Sequence, residues 1–298
     1  MEVTEAETAV DAGVEMRTVL SPSRAGDFQA CPLRYRFRVI DRLPEPPDAM
    51  MVRGTLVHAV LEDLFAEDAA ARTVERARAL LPHEWEKLRE EHPSLAELFT
   101  SDEASDEAGW LASCVDLLDS YFALEDPSWV EPEARELQLA HELESGLTLG
   151  GIVDRLDVAP DGRIRVVDYK TGRSPHPDFE ARALFQMRFY ALVIWRTRGV
   201  IPTVLQLLYL ADRTVLEYSP TEHELLATER KVTALWDAIT ASLDAGEFVP
   251  RKSSMCQWCS HRAICPEWGG TPPPMPAVTL VPADTGGFSE QVAEPVGP

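Results

Sequence analysis

Val166-Val167-Asp168-Tyr169-Lys170 closes an extended run from Arg163, and the run before it, Leu147 to Val158, holds Gly151-Ile152-Val153-Asp154-Arg155-Leu156-Asp157. Ala159-Pro160-Asp161-Gly162 lies between them and has the composition of a hairpin turn, so the two runs are expected to pair as antiparallel strands. Residues two apart on a strand share a face, which places Asp168 beside Lys170 and turns Tyr169 away. Asp154 then lies across the hairpin from the Asp168 end. Two carboxylates this close repel, and a divalent cation relieves the repulsion. Hard oxygen ligands with open water positions suit Mg²⁺ or Mn²⁺. Lys170 would stabilise developing charge beside such an ion. Taken alone, Asp-x-Lys is better explained by a solvated ion pair on a hairpin, and only Asp154 on the adjacent strand brings the two readings level.

Working outward, helical spacing resumes at about 179 to 198, followed by a strand at 204–210, a shorter strand at 214–218 and a helix over 222–245. Upstream, Ser21-Pro22-Ser23 opens a capped helical pattern that continues to Ile40, and 41–47 is a Pro-rich loop. Gly54 to Phe65 sets Leu56, Val60, Leu61, Leu64 and Phe65 at helical spacing. Residues 67–145 read as mostly helical, with Trp85, Leu88, Trp110, Leu117, Leu118, Tyr121 and Phe122 as core contacts. This order predicts an α/β fold, a mixed sheet covered on both faces by helices. Residues 1–17 are expected to be a disordered acidic tail and 271–298 a disordered Pro-rich one. A single domain spans 18–270 between them, with 62–145 as an acidic helical insertion.

The formal charge of −22 speaks at first against a nucleic-acid partner. Its distribution weakens that objection, because 62–145 alone carries 23 acidic against six basic residues. The segments holding the hairpin and its flanking motifs are neutral to slightly basic, and phosphate contacts need only a local basic track. No apolar run approaches the ~18 residues of a membrane helix. Glu2, Glu5, Glu7, Asp11 and Glu15 all precede Arg17, the reverse of a secretory leader. A cytoplasmic protein with no membrane partner is expected. The absence of Gly-x-x-x-x-Gly-Lys-Ser/Thr leaves no helicase motor in the chain.

Five cysteines are too few for a disulfide scaffold, and three of them, Cys256, Cys259 and Cys265, fall within ten residues. With Cys31 as a distant fourth, the set fits either zinc or an iron–sulfur cluster by spacing alone. Cys114 sits on an apolar helix face and reads as a small core residue.

Taken together, these pieces resemble the RecB-type branch of the PD-(D/E)XK nucleases, which includes the AddB nuclease domain and the CRISPR-associated adaptation exonucleases. The resemblance runs from Ser21 to Cys265. It is carried by Ser21-Pro22-Ser23, Cys31-Pro32-Leu33-Arg34-Tyr35, Arg53-Gly54-Thr55-Leu56-Val57-His58, Gly151 to Asp157, Asp168-Tyr169-Lys170-Thr171-Gly172, Gln186 with Tyr190, and the terminal cysteines. It implies a restriction-endonuclease-like fold and a Mg²⁺- or Mn²⁺-dependent DNA exonuclease acting in repair, recombination or foreign-DNA processing. His58, Asp154, Asp168 and the Tyr169 backbone carbonyl would be metal ligands, and Lys170 the catalytic lysine. Gln186 and Tyr190, four apart on one helix face, would support the lysine and the DNA backbone.

The same resemblance implies that Cys31, Cys256, Cys259 and Cys265 hold a [4Fe–4S] cluster joining the N- and C-terminal segments, closing a loop of more than two hundred residues. The cluster would position Arg34, Arg36 and Arg38 for DNA, single-stranded or at duplex ends, with Arg53, Arg173, Arg182 and Arg188 further along the track. A separate helicase is a candidate partner. The competing functions are a non-catalytic DNA-end binding module of the same fold and a zinc-stabilised scaffold.

Overall fold

The structure, a computed structural model, describes residues 13–99, 107–176 and 180–283, with the side chains of 180–182 left out. Its contacts divide the described chain into two compact units, one within Met1–Glu45, Glu142–Thr148 and Val232–Asp284, the other within Pro46–His141 and Leu149–Lys231.

In the first unit, β1 (Val14–Arg17) leads into the two-residue β2 (Val19–Leu20) and runs parallel to β8 (Val278–Val281), with Val14 opposite Val278 and Arg17 opposite Val281. The two regions expected as disordered tails therefore each contribute a strand. Alternating residues such as Val14, Met16, Val278 and Leu280 supply it, despite the acidic and Pro-rich surroundings that masked the pattern. Ser21 caps α1 (Pro22–Ala30), its Oγ accepting from the Arg24 N–H at 3.2 Å. Pro32 then restarts the chain as α2 (Pro32–Tyr35), which passes into a π-helical turn over Arg36–Ile40. Phe28, Tyr35 and Phe248 pack ring against ring beneath these turns.

The second unit carries the sheet. Asp48 caps α3 (Ala49–Ala66), which begins one and a half turns before Gly54, and Thr73 caps α4 (Val74–Glu91). After α5 (Glu107–Leu124), a strand β3 (Ala134–Glu142) occupies a region expected to be helical. The alternation Glu136-Leu137-Gln138-Leu139 is the period-two signal that the acidic, helix-rich neighbourhood obscured.

The hairpin forms as expected: β4 (Thr148–Val158) pairs antiparallel with β5 (Ile164–Lys170), with Arg155 opposite Val167 and Val158 opposite Ile164. Gly162 turns it at φ 84°, a conformation that favours glycine. From β5 the chain crosses over through α6 (Glu180–Arg198) to β6 (Val204–Tyr209), which lies parallel to β5. β7 (Thr214–Tyr218) then adds antiparallel to β6, and α7 (Glu222–Ala245) follows. The order is β4-β5-β6-β7, with β3 on β4. A mixed sheet flanked by helices is the expected architecture.

One core joins α3, α4 and α5 to the sheet: Leu56, Val60, Leu64, Leu81, Trp85, Trp110, Leu118 and Tyr121 pack with Val167, Tyr169, Leu208 and Leu210. Burial of Val167 and Tyr169 in this layer fixes the pleat, so Asp168 and Lys170 face the other way. Among the described residues no helix is long and apolar enough to cross a membrane.

Candidate active site

The site gathers where α3 meets the middle of β4 and the end of β5. Gly54 lets α3 approach the turn after β5, because a Cβ there would come within 3.3 Å of Thr171 Oγ1. One helical turn further on, His58 Nε2 hydrogen-bonds the Tyr169 carbonyl at 2.9 Å, and its Nδ1 lies 3.6 Å from Asp154 Oδ1. The other Asp154 oxygen accepts the Tyr169 backbone N–H at 2.6 Å. On the face of β5 turned away from the Tyr169 ring, Lys170 Nζ pairs with Asp168 Oδ2 at 2.7 Å and donates to Gln186 Oε1 at 3.0 Å. The Gln186 amide in turn donates to Tyr190 Oη at 3.1 Å. His58, Asp154, Asp168, Lys170, Gln186 and Tyr190, expected from scattered motifs, thus form one connected array.

Glu136 of β3 was not among the expected residues. It, His58 and Asp154 each offer a ligand atom within 4.8 Å of the others, the grouping among the described residues able to hold a metal ion. Asp168 stands outside that group, its oxygen engaged by Lys170. Glu136 also adopts φ 40°, a left-handed conformation uncommon for a residue with a side chain, within a strand. The sequence carried a signal for it only in the overlooked alternation of 134–139.

The electrostatics fit crowded, half-desolvated charges. Burial and the nearby Asp154 push the Glu136 carboxyl up to about 8. Burial raises Asp168 to about 6, with Lys170 opposing and Asp154 adding. Burial disfavours the His58 imidazolium, but Asp154 and Glu136 outweigh it and lift the pKa to about 9. For Asp154 the balance goes the other way: His58, Lys170 and the Tyr169 N–H overcome burial and lower it. Lys170 is raised, because Asp168 and Asp154 outweigh its desolvation. An excess of carboxylates partly neutralised by protons is a donor set that a divalent cation would satisfy.

The arginines divide. Arg34 pairs with Asp27 at 2.5 Å, Arg36 with Asp41 at 3.0 Å and the Pro273 carbonyl at 2.6 Å, and Arg38 with both Asp27 and Glu45, at 3.1 and 2.6 Å. The turns from Cys31 to Ile40 bury these side chains against their own acids, so their charges are neutralised within the unit and do not form an open basic track. Arg173 is exposed, and Arg53 reaches Ser113 Oγ at 3.4 Å. Arg188 lies over the Tyr218 ring and pairs with Glu224, and the Arg182 side chain falls outside the described residues.

Cys31, Cys256, Cys259 and Cys265 are all unpaired, half-buried and part of the first unit. The Arg251 and Ser253 N–H groups each donate to a thiol, Cys31 and Cys256 respectively, at 3.3 Å. Burial raises the Cys265 thiol, and the nearby Cys31, Cys259 and Cys256 add to the rise. They are nevertheless not drawn into a tight ligand group, and the expected cluster gains no support from their spacing. Cys114 is buried in the second unit's core, where burial pushes its thiol up to about 12.

A mixed sheet with carboxylates, a histidine and a lysine at one strand end defines a class of α/β proteins with a hydrolase-type acidic–lysine site. Residues 19–266 match the model of the PD-(D/E)XK nuclease superfamily, and the chain belongs to that superfamily. Membership makes it a nuclease by family and implies a DNA substrate. The chain is also similar to the Gene 69 protein of Mycobacterium phage L5, at 24% identity over 83% of this chain and 95% of that protein. The Gene 69 protein of Mycobacterium phage D29 is similar at 25%, over 83% and 96%. In fold it is similar to a crystal structure from Eubacterium rectale named "Putative exonuclease", with a TM-score of 0.53 at 13% identity, covering 83% of this chain and 89% of that one.

Proposed function

We propose that the chain is a Mg²⁺- or Mn²⁺-dependent DNA exonuclease of the RecB-type branch, with its chemistry at the middle of β4 and the end of β5. The observation that carries this is the convergence of His58, Glu136 and Asp154 beside the Asp168–Lys170 pair. The donor set fits the ion: oxygens dominate, one imidazole joins them, and several carry surplus negative charge or protons. His58, Asp154 and Asp168, with the Tyr169 carbonyl, would hold it, and Glu136 adds a carboxylate to that set. When bound, the cation would polarise a phosphoryl oxygen and lower the pKa of attacking water.

The protein's own residues supply the rest. Lys170 presents a fixed positive charge to a phosphate oxygen as negative charge develops. Asp168 and Gln186 aim its ammonium, and Tyr190 holds the Gln186 amide. Arg53 and Arg173 are the basic side chains we assign to the DNA backbone. The exonuclease assignment draws support from the resemblance to the RecB-type branch and from the name of the Eubacterium rectale structure. No feature of the described residues supports a helicase partner.

For the cysteines, the one-plus-three order along the chain and the resemblance to the RecB-type branch are what favour a [4Fe–4S] site over zinc. Anaerobically purified protein would then be brown and contain iron. Colourless, zinc-loaded protein would instead favour a zinc-stabilised segment.

The deciding experiment offers end-labelled linear single- and double-stranded DNA and closed circles, with Mg²⁺ or Mn²⁺. Linear DNA should be degraded from its ends and circles spared, with loss of activity in Asp154→Asn and Lys170→Ala. Cleavage of circles overturns the exonuclease assignment. Activity surviving in both variants overturns the site. No cleavage of any DNA by the intact protein favours a DNA-end binding module.

A further inference from the structure

Behind the strand end lies a buried charge that the site itself does not use. Arg155 is fully buried. Its Nη1 and Nη2 donate to the Glu125 carboxylate at 2.6 and 2.9 Å, and its Nε and Nη2 to Asp157 at 3.0 and 3.1 Å. Its Nη1 also reaches Tyr169 Oη at 2.9 Å, and the guanidinium lies 4.8 Å over the Phe65 ring. Arg165, on the neighbouring strand, closes the arrangement by donating to Asp157 at 2.8 Å and Glu125 at 3.4 Å. Two guanidiniums thus balance two carboxylates, with the donors of Arg155 satisfied.

Such a network is a poor means to stability alone, because desolvation offsets much of the Coulombic gain. What it does hold is geometry. Tyr169 accepts the Arg155 guanidinium at its hydroxyl, while its backbone serves the site. The N–H fixes Asp154, and the carbonyl fixes His58. Arg155 also directly follows Asp154 in β4, so the guanidinium anchors both strands at the point where the carboxylate emerges. Outer partners of this kind orient the ligands of a metal and change its affinity without touching it.

We infer that Arg155, clamped by Glu125, is a positioning residue for the cation site, acting through Tyr169 on Asp154 and His58. This rests on the assignment of those two residues to a cation. It also gives the acidic segment a specific part: Glu125, just past the end of α5, braces the site from behind.

The test is Mn²⁺ titration of the full chain followed by electron paramagnetic resonance, comparing wild type with Tyr169→Phe, Glu125→Gln, their double variant and Asp154→Asn. Tyr169→Phe keeps the carbonyl, N–H and ring, and removes only the hydroxyl that Arg155 holds. Tyr169→Phe and Glu125→Gln should each weaken Mn²⁺ binding by about tenfold, the lower end of the effects of lost outer partners. The double variant should be no worse than the weaker single one, as expected for two links of one chain. If Glu125→Gln fails to fold, Tyr169→Phe alone decides. Wild-type Mn²⁺ affinity in Tyr169→Phe, with binding lost in Asp154→Asn, overturns the positioning role and leaves the site standing. Wild-type affinity in Asp154→Asn overturns the site itself, and the positioning role with it.

Discussion

The strand ends of the second unit and the cysteine-bearing turns of the first both collect ligand-type side chains, by opposite means. At the strand ends, regular elements do the placing: the α3 helix and the pleat of β4 and β5 bring His58, Asp154, Asp168 and Lys170 within bonding distance before any ion arrives. Around Cys256, Cys259 and Cys265 the chain has only short 3-10 turns, and the thiols stay half-exposed and apart. A preorganised site is built to act on a ligand with little reorganisation, whereas a loosely gathered one takes its shape from the ligand. The first should therefore show its loss in catalysis and the second in stability.

The largest effect that would sharpen this contrast is on rate. Lys170→Ala and Asp154→Asn should each lower kcat by roughly a thousandfold, in the range of lost charge-stabilising and proton-transfer groups, with the melting temperature nearly unchanged. A large melting shift with residual activity would break the contrast from that side. Cys265→Ser should do the converse. With the proposed cluster in place, loss of a link closing so long a loop should cost about 2–5 kcal/mol of stability and release the iron, with Mn²⁺ affinity at the strand ends retained. Unchanged stability and iron content would show that the cysteines hold nothing.

Smaller, but sign-specific, is the pH response. Glu136 rests near pH 8 in the folded protein against 4.5 ordinarily, so the native state binds the extra proton in that window and loses stability as pH rises through it. His58, raised from 6.5 to about 9, stabilises fully below 6.5 and loses that contribution as pH rises through 9. A cation replaces these protons, so the melting-temperature gain on adding Mn²⁺ should grow from pH ~6 to pH ~8.5. A gain flat across that range would place the ion elsewhere. Smallest is a null effect: Arg34→Gln should leave the salt dependence of DNA binding unchanged, while Arg173→Gln lowers the log–log slope by roughly one. A slope change in Arg34→Gln would mean that its pair with Asp27 opens for DNA.

Much of the array was legible because its elements announce themselves locally. Gly162 and its neighbours mark the hairpin, strand alternation sets Asp168 with Lys170, and a four-residue helical offset sets Gln186 with Tyr190. Glu136 escaped because a short alternating run is weak within 62–145, a helix-prone segment with 23 acidic residues, and its closeness to His58 is wholly tertiary. The β1 and β8 strands escaped for a related reason, since each is four residues long and is stabilised by a partner at the far end of the chain. Arg34, Arg36 and Arg38 looked like a basic track because their partners Asp27, Asp41 and Glu45 are brought to them only by the turns between.

The pairing of β1 with β8 also bears on how the protein comes into being. Segments from positions 14 to 281 must meet before that small sheet exists, so during synthesis the first unit waits for nearly the last described residues to emerge. The second unit lies within 46–231 apart from short excursions, and its strands and helices are complete long before. Domains emerging first generally fold first. The acidic–lysine site would then be assembled on the nascent chain before β8 has emerged to pair with β1.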